Sequence, residues 1–177
     1  GGNAFQAVPG ASFIANSFAT ANDTSFTDTG LNTAGLAYTY KVAFYVNNSS
    51  SALGETPSAS SVRLSVGSTD RRNNLSWQHQ VPWGNYGYAI FRKNDLTGQF
   101  DSIAYTPERM YVDTGLVNGK QYCYKVKSFG TYSIAGLPTP LLNYSQEDCG
   151  VPLDTVPPCP PTLTVKNICN GLPPTGT

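Results

Sequence analysis

A long-range duplication constrains this chain more than any other feature of its sequence. The stretch DTGLVNGKQYCYKVKSFG at residues 113 to 130 has a relative, DTGLNTAGLAYTYKVAFYV, at residues 28 to 46. Asp28, Thr29, Gly30 and Leu31 match Asp113, Thr114, Gly115 and Leu116. With one extra residue in the first turn, Tyr38, Tyr40, Lys41 and Val42 then match Tyr122, Tyr124, Lys125 and Val126. The offset is 85 residues before the turn and 84 after it. That is too long for a solenoid repeat and close to the size of a small β-sandwich domain. Side chains alternate between the two faces of a strand. Tyr122, Tyr124 and Val126 therefore belong on one face, the core side, and Cys123, Lys125 and Lys127 on the other.

The intervening segments carry strand signals of the same kind. LSWQ (75 to 78), YAIFRK (88 to 93), FDSIAYT (100 to 106) and YCYKVKSF (122 to 129) are rich in aromatic and β-branched residues. Turn-forming runs such as PWGNYG, NDLTG and LVNGK separate them. Short strands at this spacing predict an all-β sandwich or barrel. No apolar pattern of period 3.6 lasts beyond two turns, so the sequence predicts no substantial helix. Leu116 and Tyr122 have the spacing of a sandwich corner. There a tyrosine buries its ring and turns its hydroxyl back to upstream backbone, while the leucine plugs the same core. An ordinary hairpin with aromatic pairs is the competing reading.

Composition and charge remove some function classes. Lys plus Arg number 11 and Asp plus Glu number 11, so the net charge is zero. Nothing there attracts nucleic acid or an anionic membrane, and neither is expected as a partner. No run of residues is long and apolar enough to cross a bilayer as a helix, so membrane insertion is not expected. The four cysteines, Cys123, Cys149, Cys159 and Cys169, suit an oxidising compartment. Cys123 faces outward and Cys149 falls near the neighbouring strand, so a Cys123–Cys149 disulfide is expected. The pairing of Cys159 and Cys169 stays open.

The chain offers little chemistry. A triad or dyad would have to use the single histidine, His79, which ends a strand and reads as a surface or half-buried residue. There is no CxxC and no histidine near Cys159 and Cys169, so no zinc site is expected. Asp95, Asp101, Glu108 and Asp113 sit in turns or at strand edges. No phosphate-binding glycine loop is present. The expectation is no catalytic residue, no metal and no cofactor. Trp83 and Tyr86, in VPWGNYGY, could form a stacking platform for sugar or peptide. The plainer reading has Trp83 packing over the end of its own sandwich.

Taken together, these segments resemble fibronectin type III domains. NNLSWQHQVP looks like strand B with Trp77 in its core, YGYAIFRKN like C, QFDSIAYT like C′, MYVDTGL like E, KQYCYKVKSFG like F and SQEDCGV like G. The segment from 130 to 145 is longer than the usual F–G hairpin. The resemblance implies tandem sandwiches, partial at both ends. Residues 1–66 would be the C-terminal part of one domain, 67–156 a complete domain, and 157–177 a linker with the first strand of another. Half a sandwich exposes its core, so a natural protein continuing in both directions is expected. YCYKV, NYSQEDCG and VPPCPPTLTV are similar to repeats of large Bacteroidota surface proteins exported by the type IX system, the kind associated with gliding motility. That likeness implies a secreted, cell-surface spacer and adhesion segment. Its partners would be other repeats of the same chain, type IX secretion or surface-attachment components, and surface glycans or proteins. It also implies O-glycosylation at Thr155, within Asp154-Thr155-Val156, and at Ser102, within Asp101-Ser102-Ile103. The alternatives are an accessory module of a secreted hydrolase or a ligand-binding receptor ectodomain.

Overall fold

A computed structural model of the chain describes residues 4–21, 25–155, 157 and 159–163. Among these the protein is all-β, with one short 3-10 turn at Phe18–Thr20 and no α-helix. No helix is long and apolar enough to cross a membrane among the described residues. Four two-residue strands come first: β1 Thr39–Tyr40, β2 Ala43–Phe44, β3 Gly54–Glu55 and β4 Ala59–Ser60. Eight longer-range strands come next: β5 Arg63–Thr69, β6 Arg72–Gln78, β7 Gly84–Lys93, β8 Phe100–Thr106, β9 Met110–Thr114, β10 Tyr122–Thr131, β11 Leu141–Tyr144 and β12 Asp148–Gly150.

From Val62 onward the strands make two antiparallel sheets, in a sandwich-like arrangement. One has the order β5-β6-β9. The other has the order β11-β10-β7-β8, with β12 also paired to β10. The alternation of β6 shows why the sheets face each other. Asn73, Leu75 and Trp77 are buried, while Arg72, Asn74, Ser76 and Gln78 are exposed. The core draws Val62, Leu64, Leu75 and Trp77 from one side, and Tyr88, Ile90, Tyr124 and Val126 from the other. Trp77 meets Tyr88 edge-to-face at 5.2 Å between ring centroids, the arrangement the aromatic quadrupole favours. Each such side chain contributes roughly 1.5–3 kcal/mol on leaving water.

A buried polar chain ties the two sheets together. The Tyr124 hydroxyl donates to Asp113 Oδ2 at 2.9 Å and accepts from Asn73 Nδ2 at 3.1 Å. Arg92 Nη1 donates to the same carboxylate oxygen at 2.8 Å, and Ser68 Oγ donates to Asn73 Oδ1 at 2.7 Å. Asn73 and Asp113 lie on β6 and β9, Arg92 and Tyr124 on β7 and β10. Burial raises the Tyr124 phenol pKa far above its ordinary value. Each buried polar atom in the chain of bonds has a partner, which removes most of the cost of enclosing it.

The free edge of β5 is closed by side chains. Gln146 Oε1 accepts from the Leu64 N–H at 3.1 Å, and Gln146 Nε2 donates to the Leu64 carbonyl at 2.6 Å. Asp148 Oδ2 accepts from the Val66 N–H at 3.0 Å. The Gln146 amide imitates a peptide unit of a neighbouring strand, so the edge offers fewer free groups to another chain. Part of the irregular stretch from 130 to 145 is itself a strand, β11. The partner of β10 comes in two pieces, β11 and β12. Between them the chain turns Gln146 toward β5.

The structure moves the first boundary of this unit. The sequence reading divides the chain between residues 66 and 67, but β5 runs unbroken through that point, and Val62 and Leu64 lie in the core. Val62, Leu64 and Val66 alternate inward, so they belong to the sandwich formed with β6 to β12. At the other end Pro152 is buried, and its carbonyl accepts from the Gly119 N–H at 2.8 Å. The exposed connector that follows starts at Leu153. Its described residues form neither helix nor strand and are exposed. Cys159 is exposed, and Cys169 lies outside the described residues.

Residues 25 to 60 repeat part of this design. The Tyr40 hydroxyl donates to Asp28 Oδ2 at 3.0 Å, as Tyr124 does to Asp113. The Tyr38 hydroxyl accepts from the Asn32 N–H at 3.2 Å, and the Tyr122 hydroxyl from the Val117 N–H at 3.1 Å. Gly30 and Gly115 both hold positive φ, at 76° and 73°, a conformation that suits glycine. Burial differs completely. Tyr40, Val42 and Phe44 are 38%, 56% and 54% exposed, while Tyr124 and Val126 are 0% exposed.

Candidate functional site

The Cys123–Cys149 disulfide lies where the strand alternation puts it. The two residues face each other across β10 and β12, and their sulfurs are bonded. Glu147 lies close to both. Because the thiols are consumed in the bond, this trio is not a thiolate metal site. The disulfide is compatible with an extracellular location.

His79 is half-buried at the end of the β5-β6-β9 sheet. Its Nε2 lies 2.9 Å from the Tyr88 hydroxyl and 3.5 Å from Asn85 Nδ2. Burial, with Arg109 as a second cause, lowers its pKa. No serine, cysteine or carboxylate is hydrogen-bonded to it among the described residues. Asp113 is occupied by Arg92 and Tyr124. A cleft of about 500 Å³ lies at one end of the molecule, between the β7–β8 and β9–β10 loops. An ion pair between Lys120 and Asp95 joins those loops.

Trp83 and Tyr86, the two residues of the expected platform, pack on different rings. Trp83 is half-buried and packs edge-to-face on Tyr132 at 5.9 Å. Its ring fills the space beside Gly130, where an added Cβ would lie 2.4 Å from Trp83 Cδ1. Tyr86 instead stands on the outer face of the β11-β10-β7-β8 sheet. A β-bulge puts it there: Gly87 pairs with Phe129 and Asn85 with Gly130, leaving Tyr86 unpaired. Its ring lies 6.5 Å from Phe129.

A second bulge builds the rest of that face. Ile90 pairs with Ala104 but Phe91 pairs with Ser102, so Ile103 is the extra residue. The slip puts both Ser102 and Tyr105 on the outer side, opposite Phe91 and Ala89. The Tyr105 ring lies 6.0 Å from Phe129 and passes directly over Gly87. A Cβ at Gly87 would fall 1.7 Å from the Tyr105 hydroxyl oxygen, so glycine is what lets the ring lie there. Lysines fill the spaces between rings. Lys127 Nζ lies 5.6 Å from Phe91, 5.4 Å from Phe129 and 5.6 Å from Tyr144. Lys125 sits 4.4 Å and Lys93 5.8 Å from the Phe100 ring. Sequence reasoning places Lys125 and Lys127 outward but misses Tyr105, because strict alternation assigns it with Ile103. The odd-numbered positions of β10 already signal Phe129.

The exposed residues include both Ser102 and Thr155. No family model and no curated protein matches the sequence. Among solved structures, the chain is similar to a β-1,2-glucanase from Parabacteroides distasonis, with 19% identity and a TM-score of 0.38. The match covers 54% of this chain and 13% of the glucanase. At that TM-score the likeness decides neither fold nor chemistry.

Proposed function

We propose that this chain is a non-catalytic spacer and adhesion segment from a tandem array of fibronectin type III-like sandwiches on a secreted, cell-surface protein. The reading rests above all on the recurrence of one corner. The Tyr–Asp and Tyr–backbone hydrogen bonds at Asp28, Tyr38 and Tyr40 are those at Asp113, Tyr122 and Tyr124. A β5-β6-β9 sheet against a β11/β12-β10-β7-β8 sheet supports the reading, since two antiparallel sheets packed through Trp77, Tyr88 and Tyr124 are what such sandwiches are built from. The sequence likeness of YCYKV, NYSQEDCG and VPPCPPTLTV supports the type IX-exported Bacteroidota kind, and the disulfide suits it. Ser102 and Thr155 are then O-glycosylation sites. A glycan on Thr155 would stiffen the proline connector and shield it from proteases.

Two measurements test the reading. Brief protease treatment of intact source cells should release peptides from the exposed 94 to 99 loop, and release only after lysis would overturn the surface placement. The purified chain should turn over no polysaccharide or peptide substrate. Turnover abolished by substitution of a residue in it would overturn the non-catalytic assignment.

A further inference from the structure

The outer face of the β11-β10-β7-β8 sheet combines two features that point to one class of ligand. The first is a set of rings held in place. Tyr105 lies over Gly87 and beside Phe129, and Tyr86 is turned onto Phe129 by a bulge. Tyr105 is 59% and Tyr86 51% exposed. Rings with an apolar face, such as the C–H face of a pyranose, stack on such side chains, and the phenol hydroxyls supply hydrogen bonds at the rim. The second is an excess of positive charge on a chain whose net charge is zero. Lys93, Lys125 and Lys127 lie on this face, and Glu147 answers the first two at 3.3 and 4.0 Å. Lys127 forms no ion pair with a carboxylate among the described residues, and three rings surround it.

We propose that this face binds an acidic polysaccharide, with Tyr86, Tyr105 and Phe129 stacking on sugar rings and Lys127 pairing with a uronate carboxylate. A ring that is both stackable and anionic satisfies both features at once. A nucleic acid has the same combination but presents a phosphate at every nucleotide and rewards many cations. Here one unpaired ammonium stands among several rings, which suits sparse carboxylates. The proposal names the binding surface of the adhesion segment proposed above. It is tested on the purified chain, so its failure leaves the cell-surface and spacer tests untouched.

The experiment is calorimetric titration of the 177-residue chain with polygalacturonate, its methyl-esterified form and oligo(dT). Binding to polygalacturonate is expected, weakened about tenfold by esterification. Tyr105→Ala and Lys127→Gln should each weaken it about tenfold, the scale of losing one anchoring contact. Lys120→Gln, in the β9–β10 loop and paired with Asp95, should leave it unchanged. Near-UV circular dichroism of the core aromatics checks that each variant is folded. No binding to polygalacturonate overturns the proposal, as does equal binding to the ester. Tighter binding to oligo(dT) assigns the face to nucleic acid instead. A loss with Lys120→Gln as large as with Lys127→Gln reduces the effect to general charge attraction. Self-association of the chain that Tyr105→Ala abolishes makes the face a contact between copies, and that too overturns it.

Discussion

Residues 28 to 46 and 113 to 130 carry the same turn, the same alternating tyrosines and the same corner hydrogen bonds, yet one is open and the other closed. In the second, Leu75 and Trp77 of β6 and Tyr88 and Ile90 of β7 enclose Tyr124 and Val126. In the first, the described residues supply no strands equivalent to β6 and β7, and Tyr40, Val42 and Phe44 face solvent. Local signals therefore suffice to form the corner, because the turn glycine and the carboxylate lie within about a dozen residues of the tyrosine they serve. They do not suffice to bury it, because the covering strands come from 35 to 50 residues away in the chain.

The largest test of this contrast removes the cover. Trp77→Ala should cost about 3–5 kcal/mol, the usual loss for a large aromatic deleted from a core. Phe44→Ala in the open copy should cost less than about 0.5 kcal/mol, as exposed substitutions generally do. Urea unfolding, followed by near-UV circular dichroism, measures both. A large loss from Phe44→Ala would mean that the first copy is enclosed in solution.

The disulfide offers the next largest effect. The double substitution Cys123→Ser with Cys149→Ser should cost about 3 kcal/mol, since the bond closes a loop of intermediate length. In the open copy Thr39 pairs with Ser60, the positions that Cys123 and Cys149 occupy in the other hairpin. Cysteines placed at both should oxidise to a second bond, visible in the intact mass before and after reduction. Failure to close would show that the two hairpins differ in register.

A finer probe removes one hydroxyl from each copy. Tyr124→Phe leaves Asn73 without its acceptor and Asp113 with one donor fewer, a buried defect worth about 1–3 kcal/mol. Tyr40→Phe removes a bond at the surface and should change stability by less than about 0.5 kcal/mol. Thermal unfolding of the two variants side by side decides it. Equal effects would contradict the burial difference.

The smallest effect is confined to the closed copy, which holds the one histidine. Burial lowers the His79 pKa below 6.5 in the folded protein. As pH falls below the unfolded value the unfolded chain takes up a proton that the folded chain resists, so stability declines. The decline stops below the folded pKa, where both states are protonated. His79→Gln should flatten this dependence between about pH 7.5 and 5, read as urea midpoints. An unchanged slope would assign it to carboxylates instead.

Much of the closed copy is legible in the residues. Alternation places Tyr124 and Val126 inside, the resemblance to fibronectin type III domains places Trp77 there, and β8 spans 100 to 106 as its composition predicts. The disulfide follows from outward parity and strand neighbourhood. Three features were not legible. The strand β5 looks like the end of the preceding unit, because SVRLSVGS carries no turn before it. Gln146 reads as a surface polar residue, because a side chain that completes a distant strand edge leaves no local pattern. Tyr105 reads as inward, because a bulge reverses parity without a marker in the sequence.

The duplicated corner, the alternation of the strands and the scarcity of chemical groups come from the order of residues alone. Turns and strand faces depend on contacts a few positions apart, where backbone sterics and side-chain parity act directly. Which copy is buried, which edge Gln146 closes and which rings share the outer face depend on pairings between distant strands. A single-residue slip at Ile103 or Tyr86 changes the face that a side chain occupies. Such slips are settled by how the two sheets pack on Trp77, Tyr88 and Tyr124, because the register that fills the core is the one that persists.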